Sequence, residues 1–335
     1  MPFRALAFIA LFVPALFAPA QVSAETMVVT SQYGPGRPQT LFWERFEEIL
    51  DEQAPGRFDI RLVVGGALGG EKEEAEAIRL GSIEGALSTV ANLTTWVPLG
   101  AVLDLPFVFE DTAHIARALD GPLGERLRGA YAAEGFYVPA FIVFGARHII
   151  GGKAYETPED LEGLTMRSLQ SDLHIAMWRS LGANPTALPI TEAYGALSTG
   201  VVDGMDMTKS GFDALKLHEA APILTETAHI YAVGVVYFDV AFIEGLPEGD
   251  RALITQAAQE AATHFDALAA AEQEAALARA IDAGAERVEV DQAPWRAALE
   301  GFARDKGPEL AGEEALAALE WIEAAREPAG EGDTR

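Results

Sequence analysis

ETPEDLEGLTMRSLQSDLHIAMWRSLGANPTALPITEAYGALSTGVVDGMD, residues 156–206, carries the reading that decides the fold. Thr157 stands as an N-cap before Pro158, with Glu159 and Asp160 in the first turn, the form of a helix start. Leu164 to Leu169 is a short apolar run that predicts a strand. Asp172 to Leu181 predicts a helix ended by Gly182, and Thr191 opens another that ends at Gly200. Strand and helix alternate, which predicts an α/β fold with a substantially parallel sheet.

The flanks continue the pattern. Met27 to Ser31 reads as a strand, Arg37 to Glu52 as a helix, and Phe58 to Val64 as a strand entering a core. Gly65 to Gly70 breaks the chain. A helix over Glu71–Leu80 and a strand over Ile83–Ser88 follow. Phe136 to Phe144 and Ile230 to Ile243 are apolar strands. Glu248 to about Gly284 reads as one long Ala- and Glu-rich helix, able to run across two domains. The tail from Gln292 to Arg326 is helical, and Glu327 to Arg335 is polar and frayed. With no internal repeat and no long linker, several crossing strands are expected to join the domains.

The 335 residues are 50% hydrophobic, enough for a sizeable core, and the net charge is −27. That charge argues against nucleic acid and anionic membrane surfaces as partners. Only five residues are Lys (72, 153, 209, 216 and 306), so most positive charge is Arg, suited to bidentate recognition. The absence of Cys excludes disulfides, Cys-ligated metals and thiol catalysis. Basic Met1–Arg4, the apolar run Ala5–Phe17 and the small-residue site Val22-Ser23-Ala24 form a secretory signal peptide. Cleavage near Ala24 would leave a periplasmic protein starting near Glu25.

Catalytic patterns are missing: there is no G-x-S-x-G, H-E-x-x-H, P-loop or EF-hand loop. The six His residues are scattered without metal-ligand spacing. No catalytic residue, metal or cofactor is assigned, and of the His residues only His148 stays a candidate for ligand contact.

The quoted stretch resembles the DctP-type substrate-binding proteins of TRAP (tripartite ATP-independent periplasmic) transporters. The matching blocks are T-P-E-D-L-E-G-L-T-M-R (157–167), L-G-A-N-P (181–185) and E-A-Y-G-A-L-S-T-G-V-V-D-G (192–204). Gly66-Ala67-Leu68-Gly69-Gly70-Glu71, Leu80-Gly81-Ser82-Ile83-Glu84, Leu105-Pro106-Phe107-Val108-Phe109, Gly145-Ala146-Arg147 and Leu246-Pro247-Glu248 follow in family order. The resemblance implies a two-domain periplasmic-binding-protein (Venus flytrap) fold, with a long helix spanning both domains. One domain would hold 25–144 with 233–272, the other 145–232 with 273–326. A small organic acid would bind in the cleft, the domains would close, and a TRAP membrane permease would take up the solute on an ion gradient. A monomer is expected, with a dimer through the long helix left open.

The same resemblance implies the site. Arg167 would hold the ligand carboxylate in a bidentate pair. Arg147 is a second candidate, the alternative being an ion pair near the hinge. Gln32, Tyr33, Thr89, Ile190, Tyr237 and Phe238 fall at pocket positions. Many relatives have Asn where this chain has Met207, which cannot donate an amide hydrogen bond. This points to a less polar acid than a heavily hydroxylated sugar acid. Trp96, Trp178 and Phe212 are candidates for apolar pocket surface. Two other readings compete: a sensor module presenting ligand to a membrane receptor, and a periplasmic enzyme on the same scaffold.

Overall fold

The computed structural model describes residues 24–326, so the expected signal segment before Ala24 and the tail 327–335 lie outside the described residues. Nine strands form one sheet: β1 (Glu25–Thr30), β2 (Phe58–Val63), β3 (Gly85–Thr89), β4 (Phe136–Gly151), β5 (Thr165–Ser168), β6 (Asn184–Ala187), β7 (Gly204–Thr208), β8 (Ile223–Asp239) and β9 (Glu286–Glu289). Their order is β2-β1-β3-β8-β4-β7-β5-β6, with β9 beside β8. The β2-β1-β3 and β7-β5-β6 ends are parallel, as the strand–helix alternation requires. β4 and β8 run antiparallel to each other and join the two ends.

β4 and β8 have 16 and 17 residues, far above the usual five or six. One part of β8 pairs with β3, while the last residues of β4 pair with β7. Their mutual register shifts between Val143 and Gly145 and again between Arg147 and Ile149. Gly145 adopts φ 119, and a Cβ there would stand 2.8 Å from the Gln273 side chain. A side chain is thus excluded where the two strands are irregular.

The helix Glu248–Asp282 is 35 residues long, about 50 Å at 1.5 Å per residue. Ile254, Ala257, Ala258, Ala261, Ala262, Phe265, Ala269, Ala276, Leu277 and Ala280 are its buried residues, recurring at three- and four-residue steps. Its first half packs with Phe42, Phe46 and Phe238, and its end with Phe212 and Leu224.

Three expectations are corrected. The strand expected at Phe136–Phe144 continues to Gly151, because β7 offers it a second partner. The strand expected over Ile230–Ile243 spans Ile223–Asp239, and the Asp239 side chain accepts from Ala241 N at 2.9 Å to cap the next helix. The helix start at Thr157 yields only a 3-10 turn, Pro158–Leu161, before the chain enters β5. Asp160 Oδ2 still accepts from Thr157 N at 3.0 Å, part of a capping box around the expected N-cap Thr157. The helices Phe302–Ala311 and Ala315–Ala324 pack against the segment 98–133. Ala315, Ala318 and Ile322 share a core with Ile115, Leu123 and Leu127, and His114 Nε2 stands 2.8 Å from Ile322 O.

Candidate functional site

The ends of β1, β3, β5 and β7 meet the middle of β4 and β8, and a small cavity lies between them. Gln32, Tyr33, Glu71 and Thr89 line it from the first half of the chain. Arg147, Arg167, Leu169, Ile190, Met207 and Thr208 line it from the segment 147–208. Phe144 and Ala232 contribute apolar wall from β4 and β8. The cavity is about 30 Å³, room for a water or two and less than an organic acid needs.

The two arginines differ in their partners. Arg147 is buried; its Nε donates to Asp206 Oδ2 at 2.5 Å and its Nη2 to Asp206 Oδ1 at 2.9 Å and Asp206 O at 2.9 Å. Burial alone would raise the Asp206 carboxyl, but the Arg147 guanidinium holds it well below the usual carboxylate range. Arg167 is also buried, 3% exposed, and its Nε donates to Leu188 O at 2.9 Å. No ion pair to Arg167 is found among the described residues. Burial, and then the Arg147 charge, depress its pKa to about 10. Arg167 is thus a desolvated cation without an ion-pair partner among the described residues, whereas Arg147 has one.

The opposite wall is polar, with Glu71 as its one carboxyl among the lining residues. Glu71 Oε1 accepts from Ser88 Oγ at 2.9 Å and Glu71 Oε2 from Asn92 Nδ2 at 2.7 Å. Burial raises the Glu71 carboxyl despite these bonds and the two arginines. Gln32 Nε2 donates to Gly69 O at 3.0 Å, tying β1 to the glycine run. Burial, and next Glu71, push the Tyr33 hydroxyl up, so it is a neutral phenol.

The structure brings together Arg167, Arg147, Gln32, Tyr33, Thr89, Ile190 and Met207 of the expected residues. It leaves out Tyr237 and Phe238. Tyr237 meets Phe136 edge-on at 5.5 Å, and Phe238 meets Trp43 at 5.9 Å and Phe46 at 5.7 Å, all in the core. They pair with Ala86 and Gly85, too far along β8 from Ala232 to reach the cavity. Trp178 and Phe212 are likewise core residues, and Trp96 packs on Phe136. His148 lies outside the cavity: its Nδ1 accepts from Ala228 N at 3.3 Å, and burial depresses its pKa to about 3. Residue-by-residue reading missed Glu71, Phe144, Leu169, Thr208 and Ala232. Glu71 had a signal, since it directly follows the glycine run, but an acid in a helix's first turn has an ordinary explanation.

A larger groove of about 840 Å³ runs beside β4, lined by Gly145, Ala146, His148 and residues of the long helix. Its basic groups are engaged: Lys209 Nζ bonds Glu274 at 2.5 Å, and the Arg128 guanidinium lies 5.2 Å from the Phe141 ring centre. The smaller cavity, with its unmatched cation, is the better site for an anion.

The family model described as bacterial extracellular solute-binding protein, family 7 (DctP), matches residues 29–305. The chain is 30% identical over 319 residues to the C4-dicarboxylate-binding periplasmic protein DctP of Rhodobacter capsulatus, covering 93% of each. It is 30% identical over 301 residues to the 2,3-diketo-L-gulonate-binding periplasmic protein YiaO of Escherichia coli K12, covering 88% of this chain and 92% of that one. A crystal structure of a TRAP periplasmic solute binding protein from Roseobacter denitrificans, with bound β-D-glucuronate, superposes with a TM-score of 0.86 at 28% identity, over 90% of this chain and 100% of that one. The similarity covers the strands, the crossing pair β4 and β8, and the Arg167 segment alike, and the chain belongs to the DctP family of extracellular solute-binding proteins, the periplasmic receptors of TRAP transporters.

Proposed function

We propose that this chain captures a small carboxylate at Arg167, releases it unchanged, and delivers it to a TRAP permease. The observation that carries this is the Arg167 guanidinium, buried without a carboxylate beside an already neutralised Arg147. One lobe is formed by 25–144 with 233–272 and the last two helices, the other by 145–232 with the end of the long helix and β9. The bends in β4 and β8 serve as the hinge. Arg167 orients the ligand carboxylate; Phe144, Ile190 and Met207 cover its apolar edge. Gln32, Tyr33 and Thr89 close the first-lobe side.

The far wall supports a finer reading of the ligand. Glu71 is an acceptor and carries negative charge when ionised. A second carboxylate there meets repulsion, while a hydroxyl donates to it. The favoured ligand is therefore a hydroxylated monocarboxylate in place of a dicarboxylate, and Glu71 as an acceptor for its hydroxyls outweighs the less polar acid that Met207 alone predicts. Residues 1–24 act as a cleaved export signal, and the receptor works as a monomer.

Titration calorimetry with D-glucuronate, D-galacturonate, lactate and succinate tests this. Hydroxylated monoacids bind more tightly than succinate, and are recovered unchanged after incubation. Binding of no carboxylate, or undiminished binding to Arg167→Ala, would overturn the reading.

A further inference from the structure

The glycine run meets the second lobe beside the ligand cavity. Gly70 has φ −79 and ψ 173, ordinary extended backbone that any residue adopts. Its conformation therefore gives no reason for glycine. Space does: a Cβ at Gly70 would stand 3.0 Å from Pro189 Cβ, and 2.7 Å from Glu73 Oε2, the far end of a flexible side chain. Ordinary carbon–carbon contact is about 3.5–4.0 Å. Glu73 can swing away, but Pro189 Cβ belongs to a ring locked to the backbone. A neighbouring contact has the same character. A Cβ at Gly66 would stand 3.0 Å from Thr191 Cγ2, although φ 66 at Gly66 favours glycine independently.

Both sides of this seam adjoin the site directly. Gly70 precedes Glu71, and Pro189 precedes Ile190; both Glu71 and Ile190 line the cavity. Leu188, next to Pro189, supplies the carbonyl that accepts from Arg167 Nε. A displacement of Pro189 thus moves a cavity wall and the group that positions Arg167.

We propose that Gly70 is an affinity-determining positioning residue of the cleft. Its missing side chain lets the Leu188–Thr191 segment close flush on the glycine run and seal the ligand from water. The proposal rests on the reading of this cleft as the carboxylate site. A side chain at 70 props the seam open, admits water beside Arg167, and weakens the bound carboxylate's interactions in a less desolvated cleft.

Gly70→Ser separates this role from helix capping. Gly70 is the N-cap of the helix Glu71–Arg79, and Ser caps at least as well as Gly. The variant should therefore keep its ligand-free melting temperature yet bind about tenfold more weakly. In a Pro189→Gly background, which removes the opposing Cβ, the same substitution should change affinity less than twofold. Unchanged affinity in Gly70→Ser, or an equal loss in both backgrounds, overturns the proposal.

A second readout needs no ligand. The chain has no cysteine, so Leu80→Cys with Val201→Cys gives one spin-label pair at exposed sites on opposite lobes. Electron–electron distance distributions should lose their short population in Gly70→Ser, with and without D-glucuronate. Identical distributions in the two proteins overturn the proposal even if no tested acid binds, whereas absence of binding by the parent protein counts against the carboxylate reading alone.

Discussion

Arg147 and Asp206 form a closed bidentate pair, Nε to Oδ2 at 2.5 Å and Nη2 to Oδ1 at 2.9 Å, within reach of His229 Nε2 at 3.4 Å. The pair makes the two cleft arginines unequal. Arg147 holds the protein's own acid; Arg167 has no ion-pair partner among the described residues and is the proposed partner of the ligand's.

The two arginines should therefore respond oppositely to truncation. Arg147→Met leaves Asp206 buried without its cation, a loss of about 3–5 kcal/mol in unfolding free energy. Arg167→Met removes a buried charge with no carboxylate partner, so the ligand-free protein should be as stable as the parent or more so. Urea unfolding of both variants checks this. Destabilisation by Arg167→Met as large as by Arg147→Met would show that the two are structurally equivalent.

Ligand affinity follows Arg167. Truncating one member of a buried, hydrogen-bonded charge pair weakens binding by about 2–5 kcal/mol, at least about thirtyfold in Kd. Arg167→Lys should recover little of it, because a point charge cannot match the planar carboxylate. Calorimetry on the two variants reads the difference.

Glu71→Gln should relax discrimination. The substitution keeps an acceptor but removes the charge, so succinate affinity should rise relative to D-glucuronate by about tenfold. In the parent protein the same preference should shift as pH falls, because the raised Glu71 carboxyl protonates before ordinary carboxylates do. A pH-independent succinate-to-glucuronate ratio that is also unchanged in Glu71→Gln would refute a charge filter at this position.

Glu74 should make stability fall as pH rises. Burial raises its carboxyl to about 7, against 4.5 unfolded, although Thr30 Oγ1 donates to it at 2.5 Å. Between these values the native state holds a proton that the unfolded state has lost, so stability declines from about pH 4.5 to 7 and then levels. Glu74→Gln should flatten that decline, stabilising the protein at pH 8 by on the order of 2 kcal/mol. Chemical denaturation at pH 5 and pH 8 measures it.

Tyr237→Phe should leave ligand affinity unchanged and stability unchanged or increased. The Tyr237 hydroxyl is buried with no hydrogen-bond partner among the described residues, and the ring packs on Phe136 away from the cavity. Losing an unsatisfied buried hydroxyl relieves a desolvation penalty. A weakened ligand would place Tyr237 nearer the site than its packing does.

Local pattern carried most of the fold. The long helix was expected over Glu248–Gly284 and spans Glu248–Asp282, because 35 residues of small apolar and charged side chains have one reading. Strand ends were less legible. β4 and β8 extend through partners that lie far along the chain, and no neighbouring residue announces them. The same applies to Tyr237 and Phe238: an apolar strand shows which residues are inside, but not which stretch of it faces a cavity.

Sequence alone determined the α/β alternation and the family pattern, because both are written in spacing along the chain, and the family resemblance in turn implied Arg167 as a candidate. The tertiary structure decided that Asp206 neutralises Arg147, that Glu71 faces the two arginines, and that Gly70 meets Pro189. These are pairings across 59 to more than 100 residues of chain, set by how the sheet brings distant segments together, and electrostatic and steric contact depend on distance in space alone.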